Sequence, residues 1–224
     1  MRTIGVALIV LGMLGAPASG ARAQQAPATP TAAPTATAGG PPAVIARPDL
    51  ALTLRDLPPG YQETTPISLT IGGTPVEDRS IMRDGPGAGP FYLWSAVYEA
   101  VPPAITDARL ERLARDLTVL FRRSAAPLDL SDWDELDPAG LGEFARVYGF
   151  EFRAPEVERP GDGAIAAFNH GNVVTYLAVM SFDGRAVTDL RQYARLLDGR
   201  IQQDDATRST GGTASPTPTP APIR

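Results

Sequence analysis

The sequence predicts an α+β fold: a mostly antiparallel, twisted sheet with flanking helices, forming one domain over residues 48–205. Three observations lead there. Short runs of alternating or β-branched and aromatic residues recur between turn residues, as at 91–101 (FYLWSAVYEAV) and 143–153 (EFARVYGFEFR). Each half of the domain closes on a segment of helical period. Between two apolar runs lies the four-residue sequence NHGN (169–172), whose Asn and Gly tolerate the backbone of a tight hairpin turn.

In chain order, residues 50–54 read as the start of a strand, and 56–60 (DLPPG) as a turn fixed by two prolines and a glycine. Residues 66–71 and 78–83 are short strand candidates, and 85–90 (GPGAGP) is a loop. The run 91–101 is the best strand of the first half. A helix follows: Thr106 is its N-cap and Asp107 sits in its positive first turn. Leu110, Leu113, Leu117 and Phe121 repeat at helical spacing as one apolar stripe. Glu111 and Arg115 stand one turn apart on the surface. Arg122 and Arg123 suit the negative end, and Pro127 closes the segment.

The second half repeats this order. Residues 143–153 put Phe144, Tyr148, Phe150 and Phe152 on one side. Residues 164–168 and 173–182 flank the NHGN turn, and the latter (VVTYLAVMSF) is apolar on both faces, as a central strand must be. The last helix starts at Thr188-Asp189 and buries Leu190, Tyr193, Ala194, Leu197 and Ile201.

The flanks differ in composition. Arg2, an 11-residue apolar run at 4–14 and the small-residue sequence Ala21-Arg22-Ala23 predict a signal peptide over 1–23, cleaved before Gln24. The apolar run is far short of the roughly 20 residues that span a bilayer, so no stable membrane span is expected after cleavage. Residues 24–47 form a Pro/Thr/Ala-rich linker and 206–224 a Thr/Pro-rich tail; both lack the apolar residues needed to bury a core. The expected location is therefore secreted or extracytoplasmic.

Composition also excludes chemistry. The chain has no Cys, hence no disulfide, thiolate metal site or cysteine nucleophile. It has no Lys, hence no Schiff base and no phosphate-loop lysine. Segment 49–205 holds all 25 acidic residues and 15 of the 20 arginines, a net charge of −10 that repels phosphate backbones; nucleic acid is not an expected partner. His170, the one histidine, sits in the NHGN turn, where nothing is expected to hold it as an acid or base. Glu143 and Glu151 share a strand face but lie roughly 26 Å apart at strand rise, beyond the span of a glycosidase pair. The acidic run 129–137 (DLSDWDELD) lacks the glycine and closing glutamate of an EF-hand loop. Ser131 followed by Asp134 reads there as a cap on a short helical turn. No catalytic residue, metal site or cofactor is expected. Tyr92, Trp94 and Tyr98, of one parity on strand 91–101, are the ligand-binding candidates, since aromatic-lined concavities take small molecules. Against this stands a face packed under a helix.

Residues 54–61 (LRDLPPGY), 168–174 (FNHGNVV) and the terminal helix ending ARLLDGRI (194–201) resemble a group of exported bacterial proteins with a DLPxG-type segment. Some of these are similar to extracytoplasmic sensor domains and to lipoproteins with a Mog1/PsbP-like antiparallel sheet. The resemblance covers about residues 50–203 and implies a binding or accessory role. The missing lipid-attachment Cys departs from the lipoprotein members. The expected function is thus a non-enzymatic binding or accessory module whose partner is a small molecule or an envelope protein. The alternatives are a carboxylate-dependent hydrolase of cell-surface polymer and a structural or assembly protein.

Overall fold

The computed structural model describes residues 44–71, 74–83, 89–101, 104–125, 128–155 and 157–211. The expected signal peptide, residues 24–43, most of the 85–90 loop and the tail beyond 211 lie outside the described residues. In chain order the elements are β1 (Val44–Ala46), a 3₁₀ turn (Leu54–Asp56), β2 (Tyr61–Thr64), β3 (Thr70–Ile71), β4 (Thr74–Pro75), β5 (Asp78–Arg83), β6 (Tyr92–Ala100) and α1 (Asp107–Ser124). They continue with β7 (Asp129–Leu130), β8 (Asp134–Leu136), β9 (Phe144–Arg153), β10 (Gly161–His170), β11 (Val173–Ser181) and α2 (Ala186–Gly211).

The main sheet runs β2-β5-β6-β11-β10-β9-β7, with β1 also on β6 and β8 also on β9. Every pairing is antiparallel. The fold is therefore α+β, as the sequence predicts. The hairpin β10–β11 turns through Gly171 and Asn172, with His170 opposite Val173; Gly171 takes φ +56°, a conformation that favours glycine. β11 is buried along its whole length, because it lies at the centre of the sheet with a helical or loop layer on each face.

Strand alternation sorts side chains into two cores. On one face Trp94, Tyr98, Phe150, Phe152, Ile165 and Tyr176 pack with Leu110, Ala114, Leu117 and Phe121 of α1. On the other, Leu93, Val147, Phe168, Leu177 and Val179 pack with Leu190, Ala194 and Leu197 of α2. Burying one such Leu or Phe is worth roughly 1.5–3 kcal/mol, so each helix is held to the sheet by its apolar stripe. The N-cap of α1 is Thr106, whose hydroxyl accepts from Arg109 N. Ala114, rather than Leu113, completes the buried stripe; Leu113 lies at its margin.

Five local expectations differ from the structure. Of the strand expected at 66–71 only Thr70–Ile71 forms, because Asp78 accepts from the backbone of Ile67, Ser68 and Leu69 and holds them as a loop. Residues 50–54 form a turn that leads into the 3₁₀ segment, because Asp56 caps it by accepting from Thr53 N (2.7 Å) and Thr53 Oγ1 (3.0 Å). The acidic run does not make a helical turn. β9 offers a free edge, and β7 and β8 pair with it in two short pieces. The sheet takes in Val44–Ala46, inside the stretch composition assigned to the linker, because these apolar residues pair with β6. Helix α2 runs through Gly211, past the expected end at 205. Both additions meet in one ion-pair network: Arg47, 7% exposed, contacts Asp49 (2.8 Å) and Asp204 (2.9 Å), while Arg208 contacts Glu99 (3.0 Å) and Asp204 (3.0 Å).

Candidate functional site

Two of the three sequence candidates, Trp94 and Tyr98, lie inside the molecule, and Tyr92 is partly buried at its edge. Trp94 and Tyr98 are 0% and 1% exposed. The Trp94 indole donates to Asp78 Oδ2 at 2.6 Å. The same carboxylate accepts from the backbone N–H groups of Ile67 (2.7 Å), Ser68 (3.2 Å) and Leu69 (3.4 Å), folding that loop over the sheet. Tyr98 and Tyr176 share a hydrogen bond of 3.3 Å between hydroxyls, and Tyr92 shares one of 3.1 Å with Ser80. Burial pushes the Tyr92 and Tyr98 hydroxyls up to about 12. These rings share a parity because they build a core, and Trp94 and Tyr98 could meet a ligand only if the covering layer moved. A ring in an alternating strand reads the same from sequence whether a layer covers it or not.

An accessible concavity lies instead between α1 and the β8–β9 edge, a groove of about 310 Å³. Helix α1 contributes Glu111, Arg115 and Thr118, which its period places one turn apart along the outer side of the buried stripe. Strand β9 contributes Arg146 and Tyr148, of one parity, and the β7–β8 segment contributes Trp133 and Glu135. Trp133 is anchored by its contacts with Phe150 (4.3 Å between centroids, 41° tilt) and with Phe121, edge-on at 6.3 Å. Its indole Nε1 is buried and has no hydrogen-bond partner among the described residues.

The charges of the groove are internally matched. Arg115 pairs with Glu111 across one helical turn. Arg146 pairs with Asp107 (2.8 Å) and faces Glu135 (3.7 Å), and the hydrogen bond it donates to Asp107 holds the guanidinium above its ordinary value. Burial raises the Tyr148 hydroxyl above its ordinary value. The groove thus combines two aromatic rings with paired carboxylates and guanidiniums. Sequence reasoning found the Glu111–Arg115 pair but met Trp133 only as part of an acidic run. Nothing local marks it, since Tyr148 and Arg146 reach it through the β8–β9 pairing.

No family model matches this chain, and no curated protein matches it. Among solved structures, the crystal structure of LpqN, involved in cell envelope biogenesis of Mycobacterium tuberculosis, is similar. The identity is 13%, over 73% of this chain and 84% of that one, with a TM-score of 0.31.

The residues behind the sequence resemblance serve the fold. Asp56 pairs with Arg200, Leu57 and Phe168 enter the α2-side core, and Ile201 packs with Leu50, Ala51 and Val173. Asn169 is fully buried; its Oδ1 accepts from Phe144 N (3.2 Å) and its Nδ2 donates to Gly171 O (2.9 Å). His170 ends β10 with Nδ1 3.8 Å from Asp198 of α2, half-buried rather than free at a tip. A second groove, of about 450 Å³, is lined by Asp132, Asp134, Glu151 and Asp162. Among the described residues no three ligating side chains converge as a metal site would require, and no described helix is long and apolar enough to cross a membrane.

Proposed function

We propose that this chain is an exported, non-enzymatic binding module that holds a small polar ligand in the groove between α1 and the β8–β9 edge. The observation that carries the reading is Trp133: a ring fixed by Phe121 and Phe150 that lines an open concavity beside Tyr148 and two ion pairs. One face of the sheet is covered by α1 with Ile67, Leu69, Ile71 and Val76, the other by α2, and the groove beside α1 leaves room next to Trp133 and Tyr148.

Several features favour binding over catalysis. Glu111 and Glu135 are each set against an arginine, whereas a general acid needs a carboxyl in an apolar setting. His170 lies on the α2 side, beside Asp198. Export rests on the signal-peptide pattern at 1–23, and the DLPxG-type resemblance, shared with Mog1/PsbP-like sensor and lipoprotein domains, supports an accessory role at the envelope. The Pro-rich flanks act as spacers.

Native mass spectrometry of the full chain, recovered from cells that export it, tests this reading. An excess mass on the wild-type chain that disappears in Trp133→Ala is the expected result. An excess mass retained by Trp133→Ala places the ligand elsewhere and removes the groove from consideration.

A further inference from the structure

The chemistry of this groove also specifies a class of ligand. Resting on the binding reading above, we infer that the groove takes a neutral saccharide, with a pyranose face against the Trp133–Tyr148 wall and hydroxyls bonded to the charged pairs.

The lining holds two carboxylates, Glu111 and Glu135, and two guanidiniums, Arg115 and Arg146, and each guanidinium already has a carboxylate partner. An anionic ligand would meet guanidiniums whose charge the carboxylates already offset, and would approach a domain of net charge −10 over residues 49–205. A cationic ligand would meet carboxylates already offset by guanidiniums. A hydroxyl group breaks neither pair. It donates to a carboxylate lone pair that the arginine leaves open and accepts from an N–H that the carboxylate does not use. A sugar carries several such hydroxyls on a ring whose two faces are C–H-rich, and those faces match aromatic side chains.

The hydroxyls of the groove agree. Tyr148 lines it with a hydroxyl that both donates and accepts. Thr118 donates its hydroxyl to Arg115 O at 2.8 Å and keeps acceptor capacity toward the groove it lines. At about 310 Å³ the groove is at the small end for ligand sites, which limits the bound portion to a short stretch of a chain.

The test is NMR titration of the ¹⁵N-labelled full chain with maltotriose, triacetylchitotriose and trigalacturonate. Expected are shifts confined to residues around 111–118, 133–135 and 146–148 with a neutral trisaccharide, and weaker ones or none with trigalacturonate. Trp133→Ala removes the ring face from the groove; it should raise the Kd about fivefold or more. Glu135→Gln, at an exposed position that leaves the fold intact, should also weaken binding. Stronger groove shifts with trigalacturonate would overturn the saccharide class as stated and leave the groove reading standing. Shifts confined to other residues would overturn both. No response to either neutral sugar overturns the inference alone, because the groove reading is judged separately by the mass of the exported chain.

Discussion

The Asp56 carboxylate and the Arg200 guanidinium, 144 residues apart in the chain, form an ion pair that ties the DLPPG segment to the last helix. Arg200 also donates to Ala51 O at 3.1 Å. Thus one side chain of α2 holds the turn, while Asp56 caps its own 3₁₀ segment. Arg200→Ala leaves a largely buried carboxylate without its main partner. A loss of about 2 kcal/mol of stability is expected, read as the urea midpoint.

The same pair sets an acid limit. Burial pushes the Asp56 carboxyl up, but hydrogen bonds from Arg200 and Thr53 outweigh it and hold the group below its ordinary range. The hydrogen bond from Arg47 does the same for Asp49. Carboxyls depressed in the folded state contribute stability that is present above the unfolded value, about 3.9, and is lost as pH falls through the folded one. Stability should therefore drop below about pH 4, and Arg200→Ala should show a shallower drop than wild type. Equal slopes in the two proteins would contradict the assignment.

Asp189 has the opposite sign. Burial raises its carboxyl, and Oδ2 has no partner among the described residues although Arg185 lies 3.7 Å from Oδ1. A raised carboxyl favours the folded state below its unfolded value and loses that advantage as pH rises through the folded one. Asp189→Asn should accordingly raise the urea midpoint at pH 7, with the gain closing below about pH 4. A gain that persists unchanged at pH 3 would point to packing instead.

Gly142 is irreplaceable for two separate reasons. It takes φ +56°, and a Cβ there would sit 2.3 Å from the carbonyl oxygen of Asn169, which accepts from Glu143 N at 2.8 Å. Gly171 has the same φ with nothing within 4 Å of a Cβ. Gly171→Ala should cost about 1 kcal/mol, for the backbone alone. Gly142→Ala should cost about 2–3 kcal/mol, the excess reporting the clash. Comparable losses in both variants would show that Asn169 can move aside.

Asp78 is the latch of the 66–69 loop. Asp78→Ala orphans the Trp94 indole and three backbone N–H groups at once. A loss of about 3 kcal/mol is expected, with faster hydrogen exchange at Ile67, Ser68 and Leu69. Unchanged protection at those amides would mean that the loop is held by Leu69 and Val76 in the core.

These relationships show what local pattern could and could not supply. Thr106 and the stripe from Leu110 to Phe121 mark α1, because cap and period are properties of neighbouring residues. The NHGN turn and the apolar run of β11 were legible for the same reason. The acidic run 129–137 was not: its side chains favour turns locally, and only the unpaired edge of β9 makes β7 and β8 strands. Arg47 and Arg208 looked like residues of low-complexity flanks until the fold brought Glu99 and Asp204 between them. Tyr92, Trp94 and Tyr98 were legible as one face, but what covers that face depends on Asp78 and the loop it holds. The groove draws on α1, β9 and the β7–β8 segment, so its composition exists only once these are assembled.

The central claim is that Trp133, rather than Trp94, meets the ligand. The chain has two tryptophans, hence two indole N–H signals in a ¹H–¹⁵N spectrum. A screen of small polyol and polar-aromatic fragments against the labelled full chain reads both at once. The expected result is movement of the Trp133 indole signal together with amides near Arg146 and Tyr148, while the Trp94 signal, bonded to Asp78, stays fixed. Movement of the Trp94 signal with Trp133 unchanged would place the site in the interior and contradict the account.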